Sequence, residues 1–243
     1  TLEILAHVTQ SSIGISRGAI VDLNEAVRSV SGVMNKICNK IPRKAQSDIY
    51  ANISGESIRG SVSRGMIPLS GRGREISRPD IDRCINAAST IHLPFDREIV
   101  HKIVQKFSVD DEPPIKNPLG LYASRLACEA YIITANVNHI QNIYKCVNNA
   151  GYDIKEIVFS GIADGLSLLT GQEREDGALL LDAGASLTEI SVFADGALKD
   201  LDIVMAGGED FKGNFKDSPE FTDITGRVSS KLEDFSKTGK KIR

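Results

Sequence analysis

The stretch LLLDAGASLTEISVF, residues 179–193, constrains this chain most. Three leucines run into Asp182, four small residues follow, and an alternating run begins after them. A continuous apolar run predicts a strand covered on both faces. A carboxylate at its end then lies at the sheet edge, where open α/β sheets take ligands. Gly184, Ala185 and Ser186 carry so little side chain that their backbone N–H groups can approach an anion. A carboxylate beside such amides suits a metal–phosphate pair: Asp182 orients Mg²⁺ or its water, and the amides bind oxygens. The competing reading is an ordinary hairpin turn with an exposed Asp.

The rest of the chain narrows the choice of class. Its 243 residues suffice for one or two domains. A composition 41% hydrophobic and 25% charged describes a globular chain rather than a disordered one. A net charge of −3, no Trp and only 5% aromatics leave neither a basic footprint nor a stacking platform, so no nucleic-acid partner is expected. Cys38, Cys84, Cys128 and Cys146 form no CxxC, and they read as reduced, buried residues of a cytosolic protein. The four His are scattered as widely, so no zinc site is expected. No run reaches the ~18 apolar residues of a membrane span. The start, TLEILAHVTQ, and the basic end, SKTGKKIR, read as the edges of a fragment or an internally shortened chain.

Periodicity predicts the elements. Leu2, Ile4 and Ala6 alternate as a strand. Asp22 and Glu25 make a capping box for a helix over 23–39, with Val27, Val30, Met34 and Ile37 on one face. Strands follow near 49–55 and, as a pair, within 56–76. Ser77 and Asp80 bracket Pro79 at the start of a helix bearing Ile81, Ile85 and Ala88. Residues 97–110 alternate strictly: Ile99, His101, Ile103 and Gln105 face one way, Val100, Lys102, Val104 and Lys106 the other. After a Pro/Gly loop, 124–135 is another strand. The unit over 49–135 therefore reads β, β, helix, β, β. Ile140, Ile143, Tyr144 and Val147 stripe a helix that Gly151 terminates. A strand over 154–161 and a short helix ending near Gly171 precede three strands, the last two joined by the Asp195-Gly196 turn. Beyond Phe211 the period fails, and 228–243 has weak helical character. Lys237, Lys240, Lys241 and Arg243 read as a solvated tail. GRGRE, 71–75, lacks GxGxxG spacing and reads as a surface loop. Asp164, just upstream of the Leu-rich strand, is either a general base or a solvated cap, and Lys116 is exposed or structural.

Residues 136–210 resemble the FtsA family of bacterial cell-division proteins, which are actin-like ATPases. The family's second phosphate loop, D-[IL]-G-G-G-T-T-D-I, stands here as DAGASLTEI over 182–190. The stretches SGESIRGSVSRGMIPL and IKNPLGLYASRLACEAYIITA resemble the subdomain that sets FtsA apart from actin, and KNPLGL, 116–121, is the most specific of these. Leu187 replaces a Thr of the pattern and Ser186 a Gly. The family's first phosphate hairpin, its Gly-rich adenosine motif and its membrane-binding C-terminal helix are not in this sequence. The resemblance implies an α/β actin-like (ribonuclease H-like) ATPase fold, incomplete, with an inserted α+β subdomain over 48–135. Residues 1–47 and 136–176 would form one actin-like half, and 177–243 a truncated second half. It implies ATP and Mg²⁺ as cofactors, held by Asp182 (the metal side, through water), Gly184, Ala185, Ser186 and Thr188, with Asp164 as catalytic base. The implied partners are FtsZ, further copies in a filament, downstream division proteins through 48–135, and the cytoplasmic face of the inner membrane. A shortened, non-enzymatic interaction module and a pilus-assembly relative of FtsA are the alternatives.

Overall fold

A computed structural model of the chain describes residues 3–42, 48–71, 73–210 and 218–237. Residues 3–14 form no regular structure, so the expected N-terminal strand is not a strand within the described residues. Alternation alone does not make one, because a strand needs a neighbour for its backbone groups. The hairpin β1 (Ile15–Ser16) and β2 (Ala19–Ile20) opens the ordered fold and leads into α1 (Leu23–Cys38). Asp22 caps α1 by accepting from Glu25 N–H, at 3.0 Å. The capping box is only half formed, since the Glu25 carboxylate turns to Arg28 instead.

β3 (Ile49–Ile53) leaves the expected β-rich unit and pairs in parallel with β9 (Ile154–Phe159). Everything between these two strands is a crossover. It comprises β4 (Arg59–Pro68), β5 (Arg74–Glu75), α2 (Arg78–Ser89), β6 (Arg97–Val109), β7 (Tyr122–Ala123), β8 (Arg125–Asn136) and α3 (Val137–Asn149). β4, β8 and β6 form an antiparallel sheet with β8 in the centre, and α2 covers one face. β4 therefore pairs with β8, not with the segment following it, and β5 pairs with β7. At Gly65 a Cβ would collide with the backbone of Ala87 and Ala88, so the bare glycine lets α2 lie against β4.

β6 departs from strict alternation. Its register shifts between Ile99 and His101 and again between Val104 and Lys106. A bulge inserts one residue and moves the residues after it to the other face. Ile99 accordingly packs with Val104 against the core under α2, while Val100 and Ile103 pack into the other core. His101 instead accepts a hydrogen bond from Phe159 N–H, at 2.9 Å, tying β6 to the end of β9. Burial lowers the His101 pKa and favours the neutral ring this bond requires.

α3 ends in the expected glycine stop. Tyr152 N–H bonds Val147 O and Gly151 N–H bonds Asn148 O, with Gly151 at φ +91. The next helical stretch is two helices, α4 (Ser160–Leu168) and α5 (Gly171–Asp176), because Leu169 is extended and Thr170 starts a new capping box with Glu173. β10 (Ala178–Ala183), β11 (Thr188–Ala194) and β12 (Ala197–Val204) form an antiparallel meander, turning at Asp195 and Gly196 with φ of 55 and 82. The Leu-rich β10 was expected to be covered on both faces; it is an edge strand and Leu181 is 46% exposed. The doubly covered strand is β11, buried along its whole length, because α4 lies against its Ser191 and Phe193 face and α6 against its Ile190 face. The helix α6 (Pro219–Ser236), longer and earlier than the periodicity predicts, places Ile224 and Val228 on this sheet. Lys240, Lys241 and Arg243 lie outside the described residues.

GRGRE is not merely a surface loop. Arg74 forks onto both carboxylate oxygens of Asp80, at 2.7 and 2.6 Å, and Ser77 gives that carboxylate its N–H and hydroxyl. The Arg74 guanidinium, helped by Ser77, holds the buried Asp80 carboxyl well below the usual carboxylate range. An acid with a depressed folded pKa contributes stability above its ordinary value that is lost as pH falls. Asp80→Asn should destabilise the β4–β8–β6 unit, because it removes the charge that pairs with Arg74 and weakens the acceptor for Ser77. It should also flatten the loss of stability below about pH 4. Urea midpoints against pH for both proteins check this.

Candidate functional site

The parallel strands β3 and β9 end side by side, and the site grows from their carboxyl ends. Asn52 Nδ2 donates to Ser160 Oγ at 2.9 Å and Ser160 Oγ donates to Ile53 O at 3.3 Å, which locks the start of α4 to the end of β3. α4 then crosses β11 at unusually close range. A Cβ on Gly161 would strike Ser191 Oγ, and one on Gly165 would enter the Phe193 ring. These glycines lie four apart on one helix face. Their contact fixes Asp164 over the β10–β11 hairpin.

On that hairpin Asp182 stands directly opposite Glu189. Like charges in facing positions of a strand pair repel each other. Asp164 joins them: one ligand atom from each of Asp164, Asp182 and Glu189 lies within 4.8 Å of the others. Asp182 is exposed, Asp164 half-buried and Glu189 only 1% exposed. Ser54, just past β3, donates its hydroxyl to Glu189 Oε1 at 2.6 Å. Glu189 Oε2 is buried and has no hydrogen-bond partner among the described residues. Burial, opposed by Ser54 and reinforced by the charges of Asp182 and Asp164, pushes the Glu189 carboxyl up to about 7. Asp164 is raised as well, by burial first and by Asp182 second. A buried carboxylate with one oxygen lacking a donor, in a cluster with two more carboxylates, fits a hard cation with oxygen ligands.

The loop over 184–186 is shaped by the segment after β12. Gly184 N–H closes a turn on Leu187 O, while Gly208 N–H and Glu209 N–H take Gly184 O and Ala185 O at 2.9 and 2.7 Å. Gly207 is pressed so closely into the loop that a Cβ would sit 2.5 Å from Gly184 O and Ser186 N. With the carbonyls drawn to one side, the N–H groups of Ala185 and Ser186 have no acceptor among the described residues. Thr188 is buried, and its hydroxyl donates to Ala206 O at 2.8 Å, anchoring that segment from below.

The structure thus gathers Asp164, Asp182, Gly184, Ala185 and Ser186 at one place, and directs the Thr188 hydroxyl into the protein. Sequence reasoning missed Glu189 and Ser54. Glu189 was within reach of a count: in a hairpin turning at 185 and 186, the residue opposite 182 is 189. Ser54 carried no local signal, because it arrives through the β3–β9 pairing.

The family model described as "SHS2 domain inserted in FTSA" matches residues 55–134. The cell division protein FtsA of Borreliella burgdorferi is 36% identical over 196 residues, covering 81% of this chain and 47% of that protein. The FtsA of Pseudomonas aeruginosa is 29% identical over 208 residues, covering 86% and 49%. The chain spans about half the length of the curated relatives it matches. Among solved structures, the PilM-PilN type IV pilus biogenesis complex aligns over 91% of this chain and 67% of its own, with a TM-score of 0.57 and 12% identity. That likeness concerns the fold alone, which is the actin-like ATPase fold of mixed α/β type with the SHS2 unit inserted. The matched stretches reach well beyond the insert, and the chain is similar to part of an FtsA cell-division protein.

Proposed function

We propose that this chain forms the metal-and-phosphate side of an ATP site in a protein acting in bacterial cell division. The observation that carries the reading is the buried Glu189 carboxylate, its Oε2 without a partner among the described residues, clustered within 4.8 Å of Asp164 and Asp182. Asp182, Asp164 and Glu189 would hold Mg²⁺ directly or through water, and the ion would neutralise phosphate charge. Gly184, Ala185 and Ser186 offer N–H groups to phosphate oxygens. Thr188 acts as a positioning residue through Ala206. Asp164, with its raised proton affinity, is the candidate base for an attacking water.

The likeness to FtsA relatives supports the wider role: linkage to FtsZ, self-association into filaments, recruitment of division proteins through 48–135, and placement at the cytoplasmic face of the inner membrane. No helix among the described residues is long and apolar enough to cross a membrane. A non-enzymatic interaction module is the second reading, and Leu187 favours it, since it brings no hydroxyl where the family motif has a Thr. The pilus-assembly alternative has less support, at 12% identity against 36% for an FtsA.

Calorimetric titration of the full-length product with ATP is the deciding measurement. Binding should require Mg²⁺ and weaken by about tenfold or more in Asp182→Asn, the scale of one lost charge-assisted contact. No binding in the presence of Mg²⁺ would sink the ATP site and leave the interaction module. Gly207→Ala, which drives a Cβ against loop backbone, should weaken ATP binding by a similar factor while the α2-covered insert keeps its fold by circular dichroism.

Glu189 gives a separate pH signature in metal-free protein. Its folded value of about 7 lies above the ordinary 4.5. The native state therefore holds the proton more tightly, and stability falls as pH rises from about 4.5 to about 7, by up to about 3 kcal/mol, then levels off. Glu189→Gln should remove that slope, as read from urea midpoints across the window.

A further inference from the structure

A second cavity, of about 760 Å³, opens between the β1–β2 hairpin, the start of the insert and α3. It shares no lining residue with the carboxylate cluster. Arg17, Arg59 and Arg97 line it against the single carboxylate of Glu56, within a chain whose net charge is −3. Arg17 already stands 3.9 Å from Asp210. Arg59 and Arg97 form no ion pair among the described residues. Their placed N–H groups go to neutral oxygens instead. Arg59 Nη1 donates to Glu56 O and Ile58 O, at 2.5 and 2.7 Å. Arg97 Nη2 donates to Ser57 O and Thr134 O, at 2.8 and 2.9 Å. Both guanidiniums are thus oriented by backbone and not neutralised.

The two cations also feel each other. Burial lowers the Arg97 pKa and the charge of Arg59 lowers it further, against the opposing pull of Asp96. The Asp96 carboxylate is meanwhile engaged by Asn136 Nδ2 at 3.2 Å. His139 adds a fixed polar wall. Its Nε2 lies 3.0 Å from Gly18 O, which can only accept, so Nε2 carries the proton and Nδ1 accepts from the Ser57 hydroxyl at 2.6 Å. Thr134 Oγ1 takes Arg97 Nε and Nη2 as well, at 3.1 and 2.9 Å, so Arg97 keeps Nη1, and Arg59 keeps its Nε–Nη2 edge, without an acceptor among the described residues. The Arg59 edge can receive an oxyanion in a bidentate manner, and Arg97 Nη1 adds a donor for a third oxygen, which a phosphate has and a carboxylate lacks.

We propose that this cavity is a binding site for a phosphoryl-bearing anion, gripped by Arg59 and Arg97 at the root of the insert. The ligand would bridge the insert to α3 and the β1–β2 hairpin.

The test titrates the full chain with inorganic phosphate in EDTA, followed by phosphorus NMR and calorimetry. Arg59→Gln should weaken phosphate binding by about tenfold, the scale of one charge-assisted hydrogen bond. Arg59→Lys should recover part of it, and Asp182→Asn should leave it unchanged, which separates this site from the nucleotide loop. Arg59 is exposed, so its variants should melt with the wild type. Vesicles with and without phosphatidate distinguish the source: co-sedimentation lost in Arg59→Gln assigns the anion to a lipid headgroup, and free phosphate alone assigns a soluble ligand. Equal phosphate binding by wild type and a folded Arg59→Gln, or no binding in either arm, overturns the proposal.

Discussion

The organisation depends on one strand read from both sides. In β8 the even residues Leu126, Cys128, Ala130 and Ile132 pack under α2, while the odd residues Tyr131, Ile133 and Ala135 enter the core shared with β3, β9 and β12. Side chains in a strand alternate, so two hydrophobic cores can meet across a single backbone. The insert is therefore not hung on a linker. Its central strand is also a wall of the actin-like body, and polar ties add to it: Gln105 Nε2 donates to Leu198 O at 2.9 Å, and Lys116 pairs with Glu175. Burying both faces of one strand removes the hinge that an inserted domain ordinarily has.

The carboxylate cluster is costly for the opposite reason. Nothing in local packing demands that Asp182 face Glu189, and both the buried position of Glu189 and the nearby Asp164 disfavour its ionised form. Folded proteins keep such arrangements where a ligand relieves them. The same structure supplies the rigid parts that hold the groups in place: the glycine face of α4, the Ser54 bond from β3 and the Thr188 anchor beneath the loop.

Much of the local structure was legible in the sequence, because its causes are local. Asp22, the Ser77–Asp80 box, Gly151 and Asp195-Gly196 each act within a few residues, and each stands where periodicity and turn chemistry place it. What was not legible depends on partners. The alternating N-terminal residues found no neighbouring strand, β4 paired across the unit, and two bulges reset the faces of β6. The three leucines of β10 were read as a covered strand because an apolar run does not reveal which strand takes the centre. The small residues of the 182–188 turn were visible as a motif. Ser54 and the burial of Glu189 were not, since both come from strands that meet only through the β3–β9 crossover and the α4–β11 contact.

The hydrogen bonds at β12 have a mechanical meaning. Near its middle, Leu201 N–H donates to Tyr131 Oη at 3.0 Å, and Tyr131 Oη in turn donates to Asp200, so the strand is pinned to the insert. At its far end the chain runs through Ala206 to Gly207, whose bare backbone is wedged into the 184–186 loop. A β-strand is nearly inextensible along its axis. β12 therefore works as a tie rod: a displacement of β8 at Leu201 is delivered, with little slack, to the loop at Gly207, and a loop forced open must pull on the insert in return.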